Sequence, residues 1–276
     1  MMFSFKKYVF LSFAAILTLS AFAADEPTAQ EFLERARNMS ADKKNHTSPP
    51  ATYGRFHGVL QHRKRKRGED PLEMEMKVYF GIILQPEVGL ALGQLVILDN
   101  MEGYQISQRA ELGLAGIVLK PWEANTTEIL DKVGVHAPDL TMSFLHYDLV
   151  KDEGSTTISA VASCRVLLLK APNEVLLMKV PDDQKEKYAR VYLEKEHAFP
   201  LRVEFLNDPN DKKPLRMMEV NGFTKKNDLY YARTIVIQGP GWRTKVDFDT
   251  KLAEIGLFDK DHPVNVFLYR DPAAKN

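Results

Sequence analysis

The histidines, the single cysteine and a run of five basic side chains are the residues of this 276-residue chain whose chemistry could be put to use. His57 and His62 lie five apart in a segment of two-residue period, so they point to opposite faces of one strand and cannot share a metal ion. His136 and His146 flank a short helical insert and could approach each other. No carboxylate pattern accompanies them, and they read as polar loop residues. Cys164 is alone and cannot form an internal disulfide. Its apolar strand is the setting of a small core residue rather than a reactive thiol. The chain has no Gly-x-Ser-x-Gly elbow, no His-Glu-x-x-His pair and no Gly-rich phosphate loop. An enzyme would need such a constellation, so no catalytic residue, metal site or cofactor is expected.

The basic run is His62-Arg63-Lys64-Arg65-Lys66-Arg67-Gly68-Glu69-Asp70. Strand-like segments flank it, and Gly68-Glu69-Asp70-Pro71 supplies the turn, so Arg63, Lys64, Arg65, Lys66 and Arg67 belong at the end of an exposed hairpin. The bland reading is a solvated loop tip. The functional one is steering toward an anionic lipid surface, worth ~1 kcal/mol per basic residue near such a surface.

Compartment decides between the uses of such a run. Lys6 and Lys7 open the chain, Tyr8 to Leu19 are almost entirely apolar, and Ala21-Phe22-Ala23 has the small-x-small form of a cleavage site. This is the pattern of a secretory signal peptide, with cleavage expected near Ala23. No cysteine follows that would carry a lipid anchor, and no later apolar run reaches the ~18 residues of a membrane span. Removal of residues 1–23 takes Lys6 and Lys7 from the 37 basic residues, leaving 35 against 37 acidic ones. A nearly neutral exported protein has no overall field for nucleic acid, and a nuclear address is excluded. Without disulfides it must stabilise itself by burial, and ~250 residues can bury ~70–75% of their unfolded surface. The organisation expected is a signal peptide (1–23), an N-terminal helix and linker (24–52) and a single β-domain (53–276).

The elements follow from periodicity. Thr28 and Glu31 form a capping box, and Ala29, Phe32, Leu33, Ala36 and Met39 share one helical face. The polar segment Asp42–Pro50 then reads as a linker. In LEMEMKVYFGIIL, Leu72, Met74, Met76, Val78, Phe80, Ile82 and Leu84 face one way, and Glu73, Glu75, Lys77 and Tyr79 the other. That strict alternation predicts strands with one dry and one wet face. It returns in LRVEF and in WRTKVDF, and more briefly around Cys164–Leu168, Ala189–Leu193, Leu229–Ile237 and Val264–Leu268. Roughly ten antiparallel strands are expected. Helices over about 28–39, 125–133 and 139–146 are too few to cover them if the sheet is flat. A curved sheet wrapped around a helical lid meets the difficulty and leaves an apolar trough. Met74, Met76 and Met101 suit a surface that adapts to variable chains. The spacing leaves a ligand trough and a self-filled core equally open, and leaves Trp242 either lining a cavity or plugging its end.

Four segments in order carry a resemblance to a known family: DLTMSFLHYDLV (139–150), SCRVLLLKAP (163–172), ARVYLEKEHAFPLRVEFLND (189–208) and RMMEVNGFTKKNDLYYARTIVIQGPGWRTKVDFD (216–249). Over about Pro138–Asp249 the chain resembles the LolA-like outer-membrane lipoprotein-sorting family, in its broad bacterial branch. The resemblance implies an incomplete antiparallel β-barrel, mainly β with a few helices, closed by a helical lid over a cavity for acyl chains. It also implies a periplasmic carrier, without catalysis, that takes lipoproteins or lipid from an inner-membrane release complex to an outer-membrane acceptor. Cys164 matches a family position. The basic hairpin and residues 99–138 depart from the pattern, which leaves the cargo open. Met74, Met76, Val78, Phe80, Ile82, Leu201, Val203, Phe205 and Trp242 are the expected lining of the trough, in a protein expected to be monomeric. The alternative of another class is an envelope scaffold or interaction module of the same fold whose core fills itself.

Overall fold

The computed structural model describes residues 26–37, 51–65, 68, 70–85, 90–99, 102–109, 114–119, 128–158, 162–172, 185–227, 229–259 and 265–267. The signal segment, the Asp42–Pro50 linker, Lys66, Arg67, Met101 and residues 125–127 lie outside the described residues. Thirteen strands occur among those described: β1 (Thr52–Lys64), β2 (Leu72–Gln85), β3 (Leu90–Ile97), β4 (Glu102–Arg109), β5 (Leu114–Leu119), β6 (Asp148–Ile158), β7 (Ala162–Lys170), β8 (Tyr188–Glu194), β9 (Pro200–Leu206), β10 (Arg216–Lys226), β11 (Leu229–Gly239), β12 (Trp242–Phe248) and β13 (Glu254–Leu257). The helices are α1 (Ala29–Arg37), α2 (Glu128–Val133) and α3 (Ala137–Thr141), followed by a 3-10 turn at Ser143–His146.

All the strands join one antiparallel sheet in the order β5-β4-β3-β2-β1-β12-β11-β10-β9-β8-β7-β6, with β13 beside β1. The sheet curves without closing, so the incomplete barrel expected from the sequence is the architecture found. β1 is the seam: it pairs with β2 along its whole length, with β12 from Gly58 to Lys64 and with β13 from Thr52 to Arg55. The two edge strands, β5 and β6, are consecutive along the chain, and α2, α3 and the 3-10 turn lie between them. The segment 128–146 therefore runs from one edge of the sheet to the other and forms the lid.

Local chemistry explains the elements. At the start of α1 the Thr28 backbone N–H donates to Glu31 at 2.7 Å, and the Glu31 N–H donates to the Thr28 hydroxyl at 3.2 Å. That reciprocal cap holds Glu31 below the usual carboxylate range. Phe32, Leu33 and Ala36 are buried, and Arg37 donates to the carbonyls of Leu145 (2.8 Å) and Tyr147 (3.1 Å), tying α1 to the end of the lid. Edge strand β6 is polar and mostly exposed, and its register with β7 shifts twice. Such bulges and charges keep an edge from pairing with another chain.

Four sequence expectations are corrected. The strand count rises because the polar sequence of β6 hid its period, and β4 and β5 fall in the stretch of weakest pattern. The last strand is β13, and residues 265–267 of the expected Val264–Leu268 strand form a turn. Tyr79, placed on the wet face by alternation, is 0% exposed. Its hydroxyl donates to the Val266 carbonyl and receives Arg55 Nε at 3.4 Å. Gly81 on the same face would push a Cβ into the Val266 backbone, so the returning chain at 265–267 needs a glycine beneath it. At the other end of β2, Leu72 is 45% exposed at the hairpin tip rather than dry.

Burial pushes the Tyr79 phenol above its ordinary pKa, and its hydroxyl bonds both Val266 and Arg55. Tyr79→Phe removes both, and the expected loss is about 1–2 kcal/mol in chemical denaturation. An unchanged unfolding midpoint would contradict the strap-like role given to residues 265–267.

Candidate functional site: the lidded wall of the sheet

The concave face carries a continuous apolar cluster that includes Leu60, Met76, Val78, Phe80, Leu95, Val203, Phe205, Ile237 and Val246. The lid adds Leu130, Val133, Val135, Phe144 and Leu145 from the other side. Between them lies a cavity of about 20 Å³, lined by Leu60, Val78, Phe80, Leu95, Ile235, Ile237, Val246 and Phe248 of the sheet and by Val135, Asp139 and Leu140 of the lid. That volume holds about one water-sized sphere, whereas small-molecule pockets start at about 300 Å³. In this closed state the lid fills most of the hollow.

Of the nine residues expected to line a trough, Val78 and Phe80 border this cavity. Met76 is buried, and Met74, Ile82 and Trp242 are half-buried against the core. Val203 and Phe205 are buried on the other half of the wall, where Phe205 meets Phe144 edge-on at 5.9 Å. Leu201 is half-buried and stands outside the core cluster. Trp242 sits at the end of the hollow, against the turn that follows α2. Gly134 has φ +67°, and a Cβ there would overlap the indole. The cavity under the lid is bordered mostly by residues outside those nine. Leu60, Ile235, Ile237, Val246 and Phe248 had the correct parity and went unselected.

Two polar ties hold the lid on this apolar wall. Thr244 on β12 donates its hydroxyl hydrogen to the Val133 carbonyl at the end of α2. With that hydrogen committed, the 2.8 Å contact between Thr244 Oγ1 and His62 Nδ1 requires the ring nitrogen to be the donor. Nε2 then bears a bare lone pair, buried and unpartnered. Burial, reinforced by Lys64, lowers the His62 pKa and keeps the ring neutral.

The second tie is an ion cluster that the sequence reading missed. Arg216, the first residue of β10, has a side chain only 4% exposed. Its Nη1 donates to both oxygens of Asp139 on α3, at 2.7 and 2.8 Å. Nε and Nη2 engage the two oxygens of Glu186, the latter at 2.9 Å. The guanidinium carbon lies 3.9 Å from the Phe205 ring centre. Asp139 also accepts the His136 backbone N–H at 2.8 Å and so caps α3. His136 is not a simple loop residue: its Nδ1 lies 3.7 Å from Glu186. Burial alone would raise Glu186, but Arg216 and His136 outweigh it and hold its pKa down to about 2. The same two carboxylates raise Arg216 further, against its own burial. The signal for Arg216 was present, since it shares the parity of Met218 and Val220 in RMMEV. A charge on the dry face requires a partner, but Asp139 lies 77 residues away and Glu186 precedes β8 in a segment without periodicity.

Two further groups were weighed. Glu194, Glu196 and His197 approach one another, but Glu194 already accepts the backbone N–H groups of Glu196 and His197, both at 2.6 Å. That arrangement is a turn closure. Cys164 is buried, and burial raises its pKa, the condition of an inert core thiol.

No protein-family model matches the chain, and no curated protein matches it. Solved structures share the fold, an open antiparallel sheet. A DUF1329 family protein from Desulfovibrio piger superposes with a TM-score of 0.51 at 13% identity, over 83% of this chain and 92% of that one. The structural neighbours also include a LolA superfamily protein from Nitrosomonas europaea, with a TM-score of 0.40 and 13% identity over 84% and 94% of the two chains. At such identities the likeness concerns the fold.

Removing one partner of a buried ion pair strands the other, at about 3–5 kcal/mol. Arg216→Met is expected to lose that much in denaturant unfolding, and Arg216→Met with Asp139→Leu to lose less than Arg216→Met alone; additive losses would contradict the coupling. A second prediction concerns pH. Burial, with Arg37 adding and Glu34 opposing, lowers the His146 pKa to about 4. The folded value lies below the unfolded one of about 6.5, so the unfolded chain takes up the proton first as pH falls. The contribution is complete above pH ~6.5 and declines toward pH 4, by about 2–3 kcal/mol. His146→Gln should flatten the melting temperature over that window, and an unchanged pH slope would refute the assignment.

Proposed function

We propose that the protein is an exported, non-enzymatic carrier that binds acyl chains of lipoproteins or lipids between lid and sheet and delivers them toward the outer membrane. One observation carries the reading. The lid packs its apolar side chains on the concave wall yet is tied to the sheet by localised polar contacts, Arg216–Asp139 and Thr244–Val133. Displacing the lid uncovers a surface suited to an elongated apolar ligand. The wall proposed for cargo comprises Met74, Met76, Val78, Phe80, Ile82, Leu201, Val203, Phe205 and Trp242, with the lid side chains giving way to the ligand. The N-terminal signal pattern supports a periplasmic location, and no described helix is long and apolar enough to cross a membrane. An inner-membrane release complex and an outer-membrane acceptor are the partners this reading requires.

The basic hairpin fits delivery. Arg63, Lys64 and Arg65 are exposed, and exposed Leu72 stands directly opposite Lys64. An apolar tip within a basic collar suits an anionic bilayer, with Lys66 and Arg67 completing the collar in sequence. A second reading is favoured by the small closed cavity: an envelope interaction module whose core is filled by its own lid.

Native mass spectrometry of the purified protein distinguishes the two. Co-purifying acyl-chain species are expected, and persistently empty protein that also ignores a fluorescent fatty acid would leave the interaction module. Phe80→Asp places an unpaired charge on the wall, so bound lipid and stability should fall together; a folded variant with undiminished lipid would remove Phe80 from the lining. Replacing Arg63, Lys64 and Arg65 by serine should abolish sedimentation with phosphatidylglycerol vesicles at low salt. Equal sedimentation of both forms would refute the steering role.

A further inference from the structure

We propose that Arg216 is the anion-recognising residue of this site, and that the ligand is an amphiphile with an oxyanion head, carboxylate or phosphate, which takes the place of Asp139. The inference rests on the carrier reading and names the chemistry of its cargo.

Asp139 is the one charged residue among those lining the cavity, and both of its oxygens are held by Arg216. The apolar hollow and the guanidinium are therefore contiguous. A tail lying along Val78, Phe80 and Ile237 would end at Arg216. The carboxylate now at that position belongs to the lid, whereas the guanidinium belongs to the sheet. Any movement that clears the wall for a tail withdraws Asp139 and leaves Arg216 with Glu186 alone. A buried guanidinium that has lost half its partners opposes opening unless another oxyanion arrives. A carboxylate or phosphate oxygen pair matches the forked donor geometry that Asp139 uses.

Charge bookkeeping agrees. Arg216, Asp139 and Glu186 together sum to one net negative charge in the closed cluster. Exchange of Asp139 for a singly charged head restores that value, while a neutral head leaves the guanidinium short of acceptors. Phe205, under the guanidinium at 3.9 Å, belongs to the sheet and meets that plane from the wall side. The lid carboxylate thus acts as an internal competitor for the head.

The test uses the full mature protein and three probes with the same 18-carbon tail below their micellar concentrations: oleate, oleoyl lysophosphatidate and oleyl alcohol. Calorimetric titration should give binding at least about tenfold tighter for one of the two anions than for the alcohol. Preference for oleate assigns a carboxylate head, and preference for the lysophosphatidate assigns a phosphate. Asp139→Asn removes the competitor's charge and should tighten anion binding several-fold, while Arg216→Lys should weaken it and bring anion and alcohol together. A merely structural ion pair would move both variants in the same direction, so parallel losses overturn the proposal. Equal affinity of wild-type protein for all three probes overturns it too and leaves the carrier reading intact, a comparison that needs no variant to fold. Absence of binding by every probe overturns the carrier reading and this inference with it.

Discussion

The sheet begins at β1, grows outward to β5, and resumes at β6 on the far edge before returning strand by strand to β12 beside β1. The connection between β5 and β6 carries α2, α3 and the 3-10 turn, whose apolar side chains meet the concave face. The concave side is also where the two-residue period puts the apolar side chains. The connecting segment lies on that apolar surface, and its own Leu130, Val133, Phe144 and Leu145 are buried there. The lid is a consequence of strand order before it is anything else.

Hydrophobic contact alone would let such a crossover settle in many positions, since burial is non-directional. Direction comes from the polar ties. Thr244 fixes the end of α2 through one carbonyl, and Arg216 fixes α3 through the carboxylate that also caps it. Both lie within apolar surroundings, where a broken contact is costly and an intact one is specific. A core meant only for stability does as well with aliphatic side chains in place of a buried ion pair. Arg216, Asp139 and Glu186 between lid and wall therefore supply direction that apolar packing alone does not.

Much of the fold was legible because its information is local. The capping box of α1, the alternation of β2, β9 and β12 and the Gly-Pro-Gly turn before Trp242 each follow from a few neighbouring residues. What escaped depends on distant parts of the chain. Tyr79 alternates with apolar residues like any wet-face side chain, and only Val266, 187 residues away, makes its face dry. β6 is so polar that its period vanishes, yet as an edge strand it needs only one paired side. Arg216 shares the parity of dry-face residues, and its partners Asp139 and Glu186 are distant in sequence and meet it only in the fold. The site was legible as a face and illegible as a place: parity identifies Val78 and Phe80 as inward, but which inward residues lie under the lid depends on where the crossover lands.

Hydrogen–deuterium exchange of the mature protein with and without a bound acyl ligand tests the central claim that the lid leaves the wall to admit cargo. The account predicts faster amide exchange across Ala137–Tyr147 when ligand is present, with β1, β2 and β12 remaining as protected as before. Ligand binding with lid amides as slow as in the empty protein would contradict it.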